Sequence, residues 1–134
     1  MTNDAAKAEI LGLIRSVFEA VTRHDVEAVL AILHPDTTVW DYRTPGMVRG
    51  HDHHRQVLNA GQANMTDRGP PTFTVEDPII DVWGDTAVAR FYLSYEYKPP
   101  NPVSGRVRIT DVFRRSGGRW LRMHHHEGVE PPAR

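Results

Sequence analysis

Apolar residues recur along the first part of the chain with helical spacing. Ile10, Leu13, Ile14, Val17, Phe18 and Val21 fall at i, i+3, i+4, i+7, i+8 and i+11, one stripe of an amphipathic helix over about residues 4–23. Asn3 or Asp4 is placed to cap it. Asp25 is placed to cap a second helix, in which Val26, Val29, Leu30 and Leu33 repeat the spacing. His34-Pro35-Asp36 ends that helix, because proline disfavours helical geometry at the residue before it. Residues 37–43 are β-branched and aromatic and read as a short strand closed by a Thr44-Pro45-Gly46 turn. Asp52 is placed to cap a third helix reaching about Asn64, after which Gly69-Pro70-Pro71 breaks the chain.

The second half changes character. Residues 72–83, 86–98, 105–115 and 119–129 are strand-like and bounded by turn residues. Gly84-Asp85 and Ser116-Gly117-Gly118 suit hairpin turns, and Pro99-Pro100-Asn101-Pro102 a longer, stiffer connection. Helices first and a meander of strands afterwards predict an α+β fold rather than a parallel α/β sheet.

The 134 residues suit one domain, 1–134, with one core. Hydrophobic residues make up 40% and charged residues 25%, which argues against disorder. A net charge of -1 without a basic stripe argues against nucleic acid as a partner. There is no cysteine, which removes disulfides, thiolate metal sites and thiol nucleophiles together. The opening MTNDAAKAEI lacks the basic and apolar pattern of a signal peptide, and the apolar runs are too short to span a bilayer. The expectation is a cytoplasmic protein without a membrane partner.

Three stretches carry a family resemblance that covers nearly the whole chain. They are His24-Asp25-Val26-Glu27-Ala28-Val29-Leu30; Pro35 through Tyr42 with Arg49-Gly50-His51-Asp52; and Thr110-Asp111-Val112-Phe113-Arg114 through Gly118-Arg119-Trp120 to His124-His125-His126. The chain resembles the nuclear-transport-factor-2-like superfamily, with its ketosteroid isomerases, SnoaL-like polyketide cyclases, scytalone dehydratase and limonene epoxide hydrolase. That resemblance implies three N-terminal helices packed on a strongly curved antiparallel sheet, cone-shaped, with one central pocket. It specifies the reaction poorly, since the scaffold hosts isomerases, cyclases, dehydratases, hydrolases and non-catalytic binders.

Set against a ketosteroid isomerase, Asp41 falls on the general base and Asp111 on the acid of the oxyanion hole, a role that requires its protonated form; this enzyme is the standard example of that arrangement. Val17 and Leu58 fall where that enzyme has pocket tyrosines, so both are expected to line a substrate site. An inward Asp41 would be tuned by desolvation; otherwise it is solvated or paired with Arg43 or Arg90. Asp111 shares a strand face with Ile109 and Phe113, where an acid must be paired or neutral; it could orient a histidine or bond a neighbouring arginine.

Strand alternation separates His125 from His124 and His126. The resemblance turns Leu121, Met123, His125 and Glu127 toward the pocket, a choice that a bulge would reverse. Arg90, Tyr92, Ser94 and Glu96 alternate on one strand face, which is either solvated or lines a polar pocket. The resemblance implies the pocket, with Tyr92 as oxyanion donor and Arg90 holding a carboxylate or enolate. Phe91, Leu93 and Tyr95 then face another layer or a second subunit, and a homodimer is expected.

The function expected is a cofactor-free enzyme acting on a small apolar carbonyl or hydroxylated aromatic compound by isomerase, cyclase, dehydratase or lyase chemistry. Asp41 or His125 would remove a proton, and Asp111, Tyr92 or Arg90 would stabilise the oxyanion. No phosphate-binding loop or nicotinamide fingerprint appears. One alternative is a binding or assembly domain of the same fold. Another is a metal-dependent hydrolase or lyase using the eight histidines; the expectation is no metal. The His124-His125-His126 run also resembles that of the iota-class carbonic anhydrases, whose run continues with serines where Glu127-Gly128 stand here.

Overall fold

A computed structural model describes residues 2–63 and 69–133 of the chain. The helical stripe forms α1 (Asn3–Thr22), whose Ala6, Ile10, Ile14, Val17 and Ala20 are buried. Thr2, rather than Asn3 or Asp4, is its N-cap, accepting a hydrogen bond from the Ala5 amide. His24 adopts a positive φ of 57° at the junction, and Asp25 caps α2 (Val26–Ala31) through the Ala28 amide. That helix ends before Leu33, which opens β1 (Leu33–Asp41), so the strand starts four residues earlier than its β-branched run at Thr37. Pro35 is therefore inside an irregular strand, where pairing skips from Leu33 to Thr38.

A two-residue strand, β2 (Val48–Arg49), pairs with β1 and leads into α3 (Gly50–Ala63). Asp52 lies in the first turn of α3 instead of capping it; the expected last residue, Asn64, lies outside the described residues. The meander follows as β3 (Pro71–Trp83), β4 (Thr86–Tyr97), β5 (Val103–Ser116) and β6 (Arg119–Val129).

The sheet order is β2-β1-β6-β5-β4-β3. The sheet is mixed: β1 runs parallel to β6, whereas an antiparallel sheet was expected. A parallel pair requires a long crossover, and α3 with the meander supplies it. The helices cover one face of this sheet. Alternation on β4 puts Ala87, Ala89, Phe91 and Leu93 on that face, and they pack with Ile10, Ile14, Val107, Ile109 and Phe113. Phe18 joins them at ring distances of 5.5 Å to Phe73 and 6.3 Å to Phe91. A second cluster joins the three helices to β1 through Val17, Ala20, Val29, Leu30, Leu33 and Leu58. No described helix is long and apolar enough to cross a membrane.

Candidate functional site

The helix-covered sheet face is apolar along β4 and turns polar toward β6. Register carries the change: Ala89 pairs with Asp111 on β5, Asp111 with His125 on β6, and His125 with Val39 on β1. Two residues further along, Asp41 pairs with Glu127. Pleating points Val39 and Asp41, Ile109 and Asp111, and His125 and Glu127 the same way.

His125 sits between two carboxylates. Its Nδ1 lies 2.5 Å from Asp111 Oδ1 and its Nε2 lies 3.2 Å from Glu127 Oε2. Asp111 is 1% exposed and His125 7%. Burial alone would push the imidazole down; the Asp111 carboxylate and the bonds to Asp111 and Glu127 outweigh it and raise His125 above its ordinary 6.5. The Glu127 and Asp41 side chains are 13% and 14% exposed, so the chain of acids runs from the core toward the surface.

Asp41 is engaged elsewhere. Arg43 donates to it through its backbone amide, Nε and Nη2 at 2.8, 3.2 and 3.0 Å. Burial pushes the Asp41 carboxyl up, but the Arg43 bonds and charge win and hold it below the usual range. An ionised carboxylate locked to a guanidinium is a weaker base than the position implies. Tyr42 stands beside Tyr95, and burial, then Tyr95, pushes its phenol up to about 12.

Arg90 and Tyr92 are on the other side of the sheet. Their expected pocket face is the solvated one: Arg90 pairs with Asp81, Tyr92 stacks under the Arg106 guanidinium at 3.8 Å, and Ser94 bonds Glu76. The helices claim the apolar alternation of Phe91 and Leu93, which leaves the polar alternation to solvent. Neither residue can join Asp111, and Phe91 and Leu93 cannot form a subunit contact. Tyr95 is also placed against the core.

A bulge breaks β6 as well. Val112 pairs with His124 but Phe113 pairs with Arg122, which leaves Met123 without a cross-strand partner. Upstream of it Trp120 and Arg122, not Leu121 and Met123, are the buried residues, at 3% and 4% exposure. His125 and Glu127 keep the expected face, and His124 and His126 lie on the outer one, where Thr38 Oγ1 meets His124 Nδ1 at 2.7 Å. Val17 and Leu58 belong to the helix-side apolar cluster.

Two groups absent from the sequence reading complete the interior. Arg122 is enclosed by the bulge, which no residue pattern announces. His54 is 7% exposed on α3, and burial, then the Arg122 charge, pushes it down to about 3. Its signal was available: His54 and Leu58 are four apart on one helix face. The neighbouring histidines are occupied, His51 Nε2 with the Leu33 carbonyl and His53 Nδ1 with the Arg49 amide. Among the described residues no three His, Asp or Glu side chains are arranged to hold a metal ion.

Two surface grooves of about 370 Å³ each lie elsewhere, one at Thr72, Ser94 and Ser104 and one between α1 and β3 at Phe18 and Phe73; neither is lined by Asp41, Asp111 or His125.

The profile of the SnoaL-like domain matches residues 14–123. Solved structures of similar fold include an NTF2-like protein of unknown function from Pseudomonas putida KT2440, 24% identical, covering 97% of this chain and 90% of that one at a TM-score of 0.85. A protein named as a candidate dehydratase of the NTF2-like family from Streptomyces avermitilis is 21% identical, with 98% and 100% covered and a TM-score of 0.82. The CamKII hub homology domain of Chlamydomonas reinhardtii is 20% identical, with 94% and 99% covered and a TM-score of 0.79. At these identities the likeness shows the fold.

Proposed function

We propose that this chain, which belongs to the SnoaL-like domain family, is a cofactor-free proton-transfer enzyme for a small apolar carbonyl or hydroxylated aromatic compound. One observation carries this reading: His125 is clamped between a fully buried Asp111 and a Glu127 that keeps some exposure. Asp111 fixes the imidazole and favours its charged form. The imidazolium spends Nε2 on one oxygen of Glu127, which leaves the other for a substrate proton. Glu127 then breaks a C–H bond next to the carbonyl, and the electron pair moves to the carbonyl oxygen as an enolate. Return of the proton at another carbon gives isomerisation; transfer of that proton to a β-hydroxyl, which leaves as water while the enolate electrons form a C=C bond, gives dehydration. Tyr42 and Tyr95, neighbouring phenols, are the hydrogen-bond donors for the enolate. The name of the Streptomyces neighbour fits this chemistry.

The test is deuterium exchange in D2O at the acidic carbon of a panel of cyclic enones and aryl ketones, followed by proton NMR. The wild-type protein should accelerate exchange of at least one, and Glu127→Gln should lower that rate by about 10²–10⁴-fold. Equal rates for the two proteins would remove Glu127 as base.

A second reading is supported by the exposed Trp40, Ile79, Trp83 and Val129, at 53, 60, 61 and 62%. These fit a homodimer or larger assembly, as does the likeness to a hub domain. Light scattering after size exclusion tests it; a single species at 15.2 kDa would refute it.

A further inference from the structure

Arg122 presents a physical problem. Its guanidinium is always charged, yet the residue is 4% exposed and its Nε is enclosed without a partner. Among the described residues it forms no ion pair; Asp111 and Glu127 act on it only through space. Asp111 and Glu127 are instead both committed to His125. A buried cation without a hydrogen-bonded counter-ion is costly.

Two more orphans lie on the elements around it. His54 Nδ1 and Thr37 Oγ1 are buried without partners, with the residues 7% and 1% exposed. His54 comes from α3 and feels the Arg122 charge. Thr37 precedes Thr38, the partner of His124, on the strand beside Arg122. The three come from α3, β1 and β6, neighbouring elements of one interior. All can donate: a guanidinium N–H, a hydroxyl and, in one tautomer, an imidazole N–H. A set of one cation and two neutral donors, with no acceptor-only group among them, suits the two oxygens of a carboxylate.

We infer that Arg122, His54 and Thr37 form an internal subsite for the carboxylate of the substrate. This rests on the proton-transfer reading and narrows it, from carbonyl or hydroxylated aromatic compounds in general to those carrying a carboxylic acid. The carboxylate is anchored at the inner end and the reacting carbon is left toward Glu127.

Benzoate and benzamide, a near-isosteric acid and neutral amide, serve as probes in NMR titrations of the wild-type protein. Benzoate should bind about tenfold or more tightly than benzamide, the worth of a charge-assisted bond. Arg122→Met should abolish that preference, and Thr37→Val should reduce it while leaving a folded spectrum. Arg122→Met should itself melt no lower than wild type, since it removes an unpaired buried charge; a lower melting temperature with unchanged benzoate binding would overturn the subsite and mark Arg122 as structural. Equal affinity for the two probes, or an experimental structure in benzoate with only water on the three atoms, would overturn it too. Deuterium exchange is a separate readout: benzoate selectivity without exchange fails the catalytic reading and leaves the subsite standing.

Discussion

Replacing Asp111 by asparagine keeps the shape of a buried side chain and removes its charge. In the native protein that charge sits 2.5 Å from His125 Nδ1, with both residues nearly out of solvent. Breaking one partner of a buried pair costs about 3–5 kcal/mol, because the other charge is left in a poor medium. Here His125 can escape by losing its proton, so the cost depends on pH. A histidine raised in the folded state stabilises fully below its unfolded value near 6.5, and that contribution fades as pH rises through the folded value. In Asp111→Asn burial dominates and this contribution disappears. The stability difference between the two proteins should therefore be largest just below pH 6.5 and shrink as pH rises above it. Urea unfolding followed by circular dichroism at several pH values measures it. Side-chain 15N spectra should show His125 holding its second proton to higher pH in the wild type than in the variant. A difference that is flat with pH would refute the argument.

Asp41→Asn should cost less than about 1 kcal/mol, because its partner Arg43 is 59% exposed, and should leave deuterium exchange within about tenfold of wild type. A loss equal to that of Glu127→Gln would return the base to Asp41. Phe113→Ala, in a side chain 1% exposed, should cost about 3–5 kcal/mol in urea unfolding; less than 1 kcal/mol would mean the core is not packed as described. Gly50→Ala should cost about 1–2 kcal/mol, since its φ of 73° disfavours any Cβ while the nearest atom, the Pro35 carbonyl oxygen, is at an ordinary 3.5 Å; an unchanged urea midpoint would contradict that backbone conformation.

Period and punctuation carried most of the architecture. The 3.6-residue stripe from Ile10 to Val21 and the turn glycines at 84, 117 and 118 mark α1 and the hairpins directly. What stayed hidden were choices between equivalent faces. On β4 the alternation is plain in the residues, but which side the helices cover depends on α1, and the ketosteroid isomerase comparison selected the wrong side for Arg90 and Tyr92. The apolar members Phe91 and Leu93 were the better guide. Asp111 could be placed because its in-phase strand neighbours, Ile109 and Phe113, are apolar. Arg122 could not, because its direction depends on an irregular pairing set by both strands.

Met123 works as a spacer. Arg122 and His125 are an odd number of positions apart, so a regular strand would aim them at opposite sides. The unpaired residue absorbs that mismatch and lets the cation and the imidazole look the same way. A chain shortened by Met123 would restore an even separation and keep both aims. It would lose the bend and extra twist that such an insertion imparts. Orientation and curvature, joined here in one residue, could thus be separated by a single deletion.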